Sequence, residues 1–200
     1  MACNFKHVLS SGAGCKENPA GLSNYMMIVP LNGDYISSIG VHDGAPEYVI
    51  TPKTGASLKG WKVEFKSQTG QVTSEHNGQG KAWTMTGTGR VEKNETDMAY
   101  MSRVLSNMDG KYLCFFPTGN VVSGRGIEWK VVGNQFGDTE FQTNYDSGAA
   151  RGDDHGHTFT VICNYQLYDV MFWYGSIFDE TDLASSVFSD SSDDNIVFVS

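Results

Sequence analysis

Apolar and polar positions alternate with a period of two through much of this chain, which predicts half-buried β-strands. In HTFTVIC, Phe159, Val161 and Cys163 fall on one side and Thr158 and Thr160 on the other. That strand closes the longest organised stretch, Val131 to Cys163, read as strand, loop, strand, glycine-rich loop, strand. Upstream, Trp61, Val63 and Phe65 alternate with Lys62, Glu64 and Lys66. Met85, Gly87, Gly89 and Val91, led by Trp83, alternate with Thr84, Thr86, Thr88 and Arg90. These two runs form the clearest β pair in the sequence, and the polar segment between them reads as a hairpin tip reaching beyond the core. Apolar-rich segments at Tyr25–Leu31, Lys111–Phe116, Ile127–Val132 and the very aromatic Tyr165–Tyr174, the last interrupted by Asp169, predict further strands.

One segment changes period. In Asn94–Met108, Met98, Met101, Leu105 and Met108 recur at helical spacing, and Asp109-Gly110 stops the run. Asn94 is placed to cap this helix, and Glu95 and Asp97 suit the positive end of its dipole. The methionine stripe reads as core packing against a sheet, with an adaptable partner groove as the alternative. The sum is a mainly β protein, a β-sandwich or barrel with one flanking helix at about 94–108 and extended arms and loops. The β-rich domain spans 25–176, with projecting loops at about 32–60 and 66–82. An N-terminal arm (1–24) with several glycines and a proline precedes it, and an acidic arm (177–200) follows.

Composition narrows the function. The 200 residues are 40% apolar and 12% aromatic with 23 glycines, which suits a β-rich fold with tight turns. Six of the 23 acids, and no base, lie in 177–200, leaving 17 acids against 14 bases elsewhere. A formal charge of −9 disfavours tight nucleic-acid binding, which rests on Lys and Arg neutralising phosphates. Cys3, Cys15, Cys114 and Cys163 show no CxxC spacing, and Cys114 and Cys163 sit in apolar strands as small hydrophobes. No basic region followed by an apolar run opens the chain, and Tyr165–Tyr174 is too short to span a bilayer, so neither secretion nor a membrane is expected.

Candidate chemistry is sparse. Asp153-Asp154-His155-Gly156-His157 is the one metal-like cluster, with His155 and His157 on one side of a strand, but it lacks further ligands and reads as a solvated turn. Turn composition equally explains Arg151-Gly152-Asp153. No GxSxG, P-loop or HExxH occurs. No catalytic residue, metal or cofactor is therefore expected. The aromatics of 165–174 could offer a sugar-stacking platform, although a sheet core or interface accommodates them as well.

The order of arm, projecting loop, sheet, helix and late glycine-rich hairpin resembles the major tail tube proteins of long-tailed bacteriophages. Trp61–Phe65 with its polar hairpin and Trp83–Val91, the helix between strands, and YDSGAARGDDHGHTFTVIC carry the resemblance, over about residues 25–175. It implies a β-sandwich subunit that forms rings, expected to hold six copies, whose strands join into one inner barrel and which stack into a tube. It further implies a virion tail protein assembled in the host cytoplasm, with homo-oligomeric and other tail-protein partners. DNA would pass through the lumen without specific binding. Trp61, Phe65, Trp83, Ile196 and Phe198 are the candidate subunit contacts by position. The acidic tail and long N-terminal arm have no counterpart in that pattern and fit a tail terminator, baseplate hub or capsid decoration protein. A β-sandwich glycan-binding module is the reading from a different class.

Overall fold

A computed structural model describes residues 22–31, 36–41, 47–52, 61–78, 82–92, 95–122, 126–148 and 155–173. Among the described residues eleven strands and one helix follow in order: β1 Tyr25–Pro30, β2 Ile36–Val41, β3 Glu47–Pro52, β4 Trp61–Glu64, β5 Gln71–Asn77, β6 Ala82–Val91, α1 Glu95–Ser106, β7 Tyr112–Val122, β8 Gly126–Val132, β9 Thr139–Asp146, β10 Gly156–Gln166 and β11 Met171–Trp173. They form a seven-stranded sheet, β2-β3-β11-β8-β7-β1-β4, and a four-stranded sheet, β5-β6-β10-β9. The protein is thus mainly β with one flanking helix, as the pattern predicts.

Period-two geometry explains the layering. In β1, Met26 and Ile28 enter the core between the sheets, while Met27 and Val29 join a second cluster with Tyr48, Leu113, Phe115, Trp129, Val131, Met171 and Trp173. Alternate residues of β7 divide the same way, Tyr112, Cys114 and Phe116 against Leu113 and Phe115. Strands buried on both faces need no polar alternation, hence the uninterrupted runs YMMIVP and YLCFFP. The four-stranded sheet buries only one face, so β6, the start of β9 and the middle of β10 alternate buried with more exposed residues. Met98, Met101 and Leu105 of α1 are buried in the main core and Met108 packs at its margin. The methionine stripe is core. Asn94 lies outside the described residues, so the expected cap does too.

Three strand readings require correction. β4 and β6 are not partners: β4 pairs with β1 in the larger sheet, and β6 pairs with β5 and β10 in the smaller one. The polar segment between them supplies β5, aligned along β6 from Gln71↔Thr88 to Asn77↔Ala82, rather than a hairpin tip off the core. The aromatic run Tyr165–Tyr174 is not one strand. A register shift between Cys163 and Gln166 ends β10, the chain bends at 167–170, and β11 pairs with β8 and β3 in the other sheet. Within 32–60, expected to be a projecting loop, β2 and β3 pair as a hairpin at the edge of the seven-stranded sheet. Residues 1–21 and 174–200, and with them most of both arms, lie outside the described residues.

Glycines in the middle of β6 have a packing reason. A Cβ on Gly87 would lie 2.5 Å from Phe116 Cζ, and one on Gly89 2.5 Å from Phe159 Cζ. Aromatic rings rest directly on the strand backbone at these two positions. Phe65 and Phe159 meet edge-on with centroids 5.7 Å apart, and Phe159 stacks on Phe141 at 5.8 Å. A buried polar link also ties the sheets together. Tyr48 of β3 donates its hydroxyl to Gln166 Oε1 (3.2 Å), and Gln166 Nε2 donates to the Gly133 carbonyl (2.5 Å).

Core thiols make stability sensitive to alkali. Cys114 and Cys163 are buried and free. Burial pushes the Cys163 thiol up to about 11 from an ordinary 9.0 and raises Cys114 further. Unfolding exposes thiols that ionise more readily, so the unfolded chain holds fewer protons above pH 9. Stability should be level below pH 9 and fall as pH rises through 11. Urea midpoints measured from pH 7 to 11 test this, and an unchanged midpoint would refute it.

Candidate assembly surface

The outward face of the four-stranded sheet is a polar surface built of regular cross-strand rows. Strand register sets its rows: Gln71–Thr88–Thr160–Gln142, then Thr73–Thr86–Ile162–Glu140, with Arg90–Thr158–Asn144 towards one end and Glu75–Thr84 towards the other. Thr84 donates to Asn164 Oδ1 (3.5 Å), and Gln142 Nε2 donates to Glu140 Oε1 (2.8 Å). Threonine is the commonest residue on this face, its β-branched side chain suiting a pleated strand and its hydroxyl the wet side. The charges are Glu75, Glu140 and Asp146 against Arg90. The sheet ends in β5 on one side and β9 on the other, and neither edge carries a further strand among the described residues.

The two poles of this sheet differ. At one, Gly133–Asp138 folds around the buried side chain of Asn134. Its Oδ1 accepts the backbone N–H groups of Phe136 (2.9 Å), Gly137 (3.1 Å) and Asp138 (3.3 Å). Its Nδ2 donates to Asp138 Oδ2 (3.0 Å) and to the Tyr165 carbonyl (3.2 Å). This one amide therefore holds the β8–β9 turn against the end of β10. Around it Phe136, Tyr165 and Leu167 are 69%, 59% and 56% exposed, an apolar group of the kind that marks contact surfaces. At the opposite pole, α1 and the β9–β10 pair frame an open hollow of about 520 Å³ lined by Thr96, Ala99, Tyr145 and His157. The Tyr145 and His157 rings lie 4.9 Å apart there.

Comparison with known proteins identifies no relative: no family model matches the chain, and no curated protein or solved structure is significantly similar to it. The surface must therefore be judged on its own geometry.

The positions singled out in the sequence are scattered by the fold. Trp61 is half-buried on β4, opposite Ile28, and packs against the main core. Phe65 is only 6% exposed and commits its ring to Phe159 and Gly89 inside the subunit. Trp83 is half-buried on β6, edge-on to His76 at 4.9 Å. Ile196 and Phe198 lie outside the described residues, as do Asp153, Asp154 and Arg151-Gly152-Asp153. His155 is exposed whereas His157 is buried, and no group of three potential metal ligands gathers among the described residues. In the aromatic run, Met171 and Trp173 are core, whereas Tyr165 and Leu167 face outward.

Sequence reasoning did not single out Phe136, Asn134 or Arg90. The spacing Gly133-Asn134…Gly137-Asp138 was the available signal for Asn134, since Asn side chains mimic backbone in turns. No local pattern distinguishes Phe136 or Arg90.

Proposed function

We propose that this chain is a virion structural protein, the major tail tube subunit of a long-tailed bacteriophage. It assembles into stacked rings, expected to hold six copies, that conduct DNA at ejection. The observation that supports this reading best is the four-stranded sheet with one wet face and two open edges. Its strands alternate in direction along β5-β6-β10-β9. A β9 edge set beside the β5 edge of a second copy is therefore antiparallel, as every pair within the sheet already is. Repetition of that contact by rotation gives a closed barrel without edges. Left open, the same edges would be a liability for aggregation.

The chemistry of the outward face agrees with a conduit. A wall of threonine and amide side chains with more acids than bases offers DNA few cations to release counterions against, so phosphates slide past without sticking. The exposed Phe136, Tyr165 and Leu167 at one pole suit contacts between rings. No helix of the described residues is long and apolar enough to cross a membrane.

Negative-stain electron microscopy of the purified full chain at rising concentration tests the proposal. Rings or hollow tubes with a central channel are the expected result. A stable monomer at every concentration would overturn self-assembly. Tryptophan fluorescence that shifts on adding polysaccharide would then favour a glycan-binding module.

A further inference from the structure

Large exposed apolar side chains gather at the two ends of the four-stranded sheet and avoid its wall. Phe136, Tyr165 and Leu167 belong to one pole and Tyr145 and Tyr100 to the other; among the described residues no other large hydrophobic is exposed. Phe136 stands on the β8–β9 turn that Asn134 holds. Tyr165 and Leu167 flank Gln166 at the end of β10, where it pairs with Trp83. Tyr145 sits where β10 begins, paired with His157, and Tyr100 stands one helical turn beyond Thr96 on α1. From His157 to Gln166 is nine residues of β10, roughly 30 Å of strand.

These poles are unlike in shape. Phe136, the most exposed of the five, makes one of them a knob. The other is concave, a hollow of about 520 Å³ walled by the Tyr145 and His157 rings, the Ala99 methyl group and Thr96. Thr96, Ala99 and Tyr145 are exposed, so a partner reaches them without disturbing the subunit. A volume of that order accepts a drug-sized group, which gives a phenyl ring and its neighbours room to enter. Rings and methyl groups also suit an aromatic guest, held by offset or edge-on contact. With about 150–250 Å² on each aromatic side chain, the exposed fractions give the knob roughly 300–400 Å² of apolar surface, the size that marks a contact site. One knob in one hollow buries about twice that, short of the ~1,200 Å² of a stable pair. The six contacts of an expected ring exceed it several-fold.

We infer that copies of this chain stack head to tail, the Phe136 knob of one seated in the hollow between α1 and the β9–β10 pair of a second copy. This rests on the ring-forming reading and specifies which faces of successive rings meet. Copies related by rotation all point the same way, so a ring carries its knobs on one rim and its hollows on the other. Knob against knob would set hollow against hollow at the next junction, two concave surfaces with little to bury. Knob into hollow repeats without limit and with a single geometry, as a tube requires. Because each contact is small, rings form first and stack only as rings.

Two variants of the full chain test the contact, read by negative-stain microscopy and sedimentation velocity, with thermal melts as the control for folding. Phe136→Glu removes the knob and Ala99→Trp fills the hollow. Each alone is expected to form rings but to shorten tubes at least about tenfold. Preformed rings of the two, mixed in equal amounts, retain one working knob face and one working hollow face, so they should pair and stop there. Where a variant melts below wild type, Leu167→Glu repeats the knob test outside the turn, and Ala99→Lys blocks the hollow with a residue that helices accept. Tubes of wild-type length from either variant, or a mixture that stays as single rings, would overturn the contact and leave the tube reading standing. Pairing of Ala99→Trp rings by themselves would do the same, since it means knob against knob. Loss of the rings themselves would place these residues in the lateral contact and overturn the assignment. A wild-type chain that never assembles overturns the tube reading and this contact with it.

Discussion

Gly110→Ala is expected to destabilise the fold by about 3–4 kcal/mol, combining a positive-φ penalty with backbone overpacking. Gly110 follows Asp109 at the end of α1, with φ values of 69° and 48° respectively. This left-handed pair turns the chain from the helix into β7. Asn and Asp tolerate such angles better than most residues, but alanine does not. Space is the second obstacle. A Cβ at Gly110 would collide with the Gly137 carbonyl and sit 2.7 Å from the Thr139 carbonyl and 2.9 Å from the Thr139 nitrogen. All three are backbone atoms, so no rotamer change relieves the clash. Urea denaturation gives the measurement. A loss below about 1 kcal/mol would mean that the 133–138 turn moves aside easily, contrary to the packing argued here.

Asn134→Leu should cost about 2–4 kcal/mol, because it strands backbone donors that only this side chain satisfies and removes the tie to β10. Three backbone N–H groups, the Asp138 carboxylate and the Tyr165 carbonyl all depend on one amide. The same amide bonds the Phe136 N–H and the Tyr165 carbonyl, so its loss also loosens the backbone that carries these two exposed aromatics. Asn134→Asp separates the contributions. It keeps the three accepted bonds, loses both donated ones and sets a second carboxylate against Asp138. Its stability should therefore recover in part as pH falls through the carboxylate range, whereas that of Asn134→Leu should not. Parallel denaturation curves at pH 4 and 7 decide it. An Asp variant without pH dependence would contradict the contact between residues 134 and 138.

Much of the fold was legible in the residue pattern. Alternation in HTFTVIC placed Phe159, Val161 and Cys163 in the core, and the methionine spacing placed α1 against it. Asp109-Gly110 marked the helix end that the left-handed pair makes. Misreadings arose where the pattern states a face but not a partner. Trp61–Phe65 and Trp83–Val91 share a period, yet they belong to different sheets. Tyr165–Tyr174 is rich in aromatics because two strands of different sheets, both near the core, adjoin there. Composition could not expose the bend between them, where Asp169 Oδ1 accepts the Val170 N–H (2.9 Å).

The candidate surface was less legible for a related reason. Trp61, Phe65 and Trp83 stand out by size, and large aromatics go where apolar area is buried, which for Phe65 is the subunit's own core. Arg90 is one base in a Thr-rich strand, and the shielding of its Nε and Nη2 without a hydrogen-bond partner is a three-dimensional fact.

Residue pattern alone determined that the chain is mainly β, that one amphipathic helix lies between its strands, and which side of β6 and β10 stays wet. Those are local properties, set by backbone periodicity and the cost of burying polar groups. Tertiary structure decided which strands pair, that two sheets share one core, and that the wet faces of four strands merge into a single wall ending in the β5 and β9 edges. Such properties depend on residues brought together from as far apart as Gln71 and Gln142, ends of one row across the sheet, and no local rule encodes that meeting.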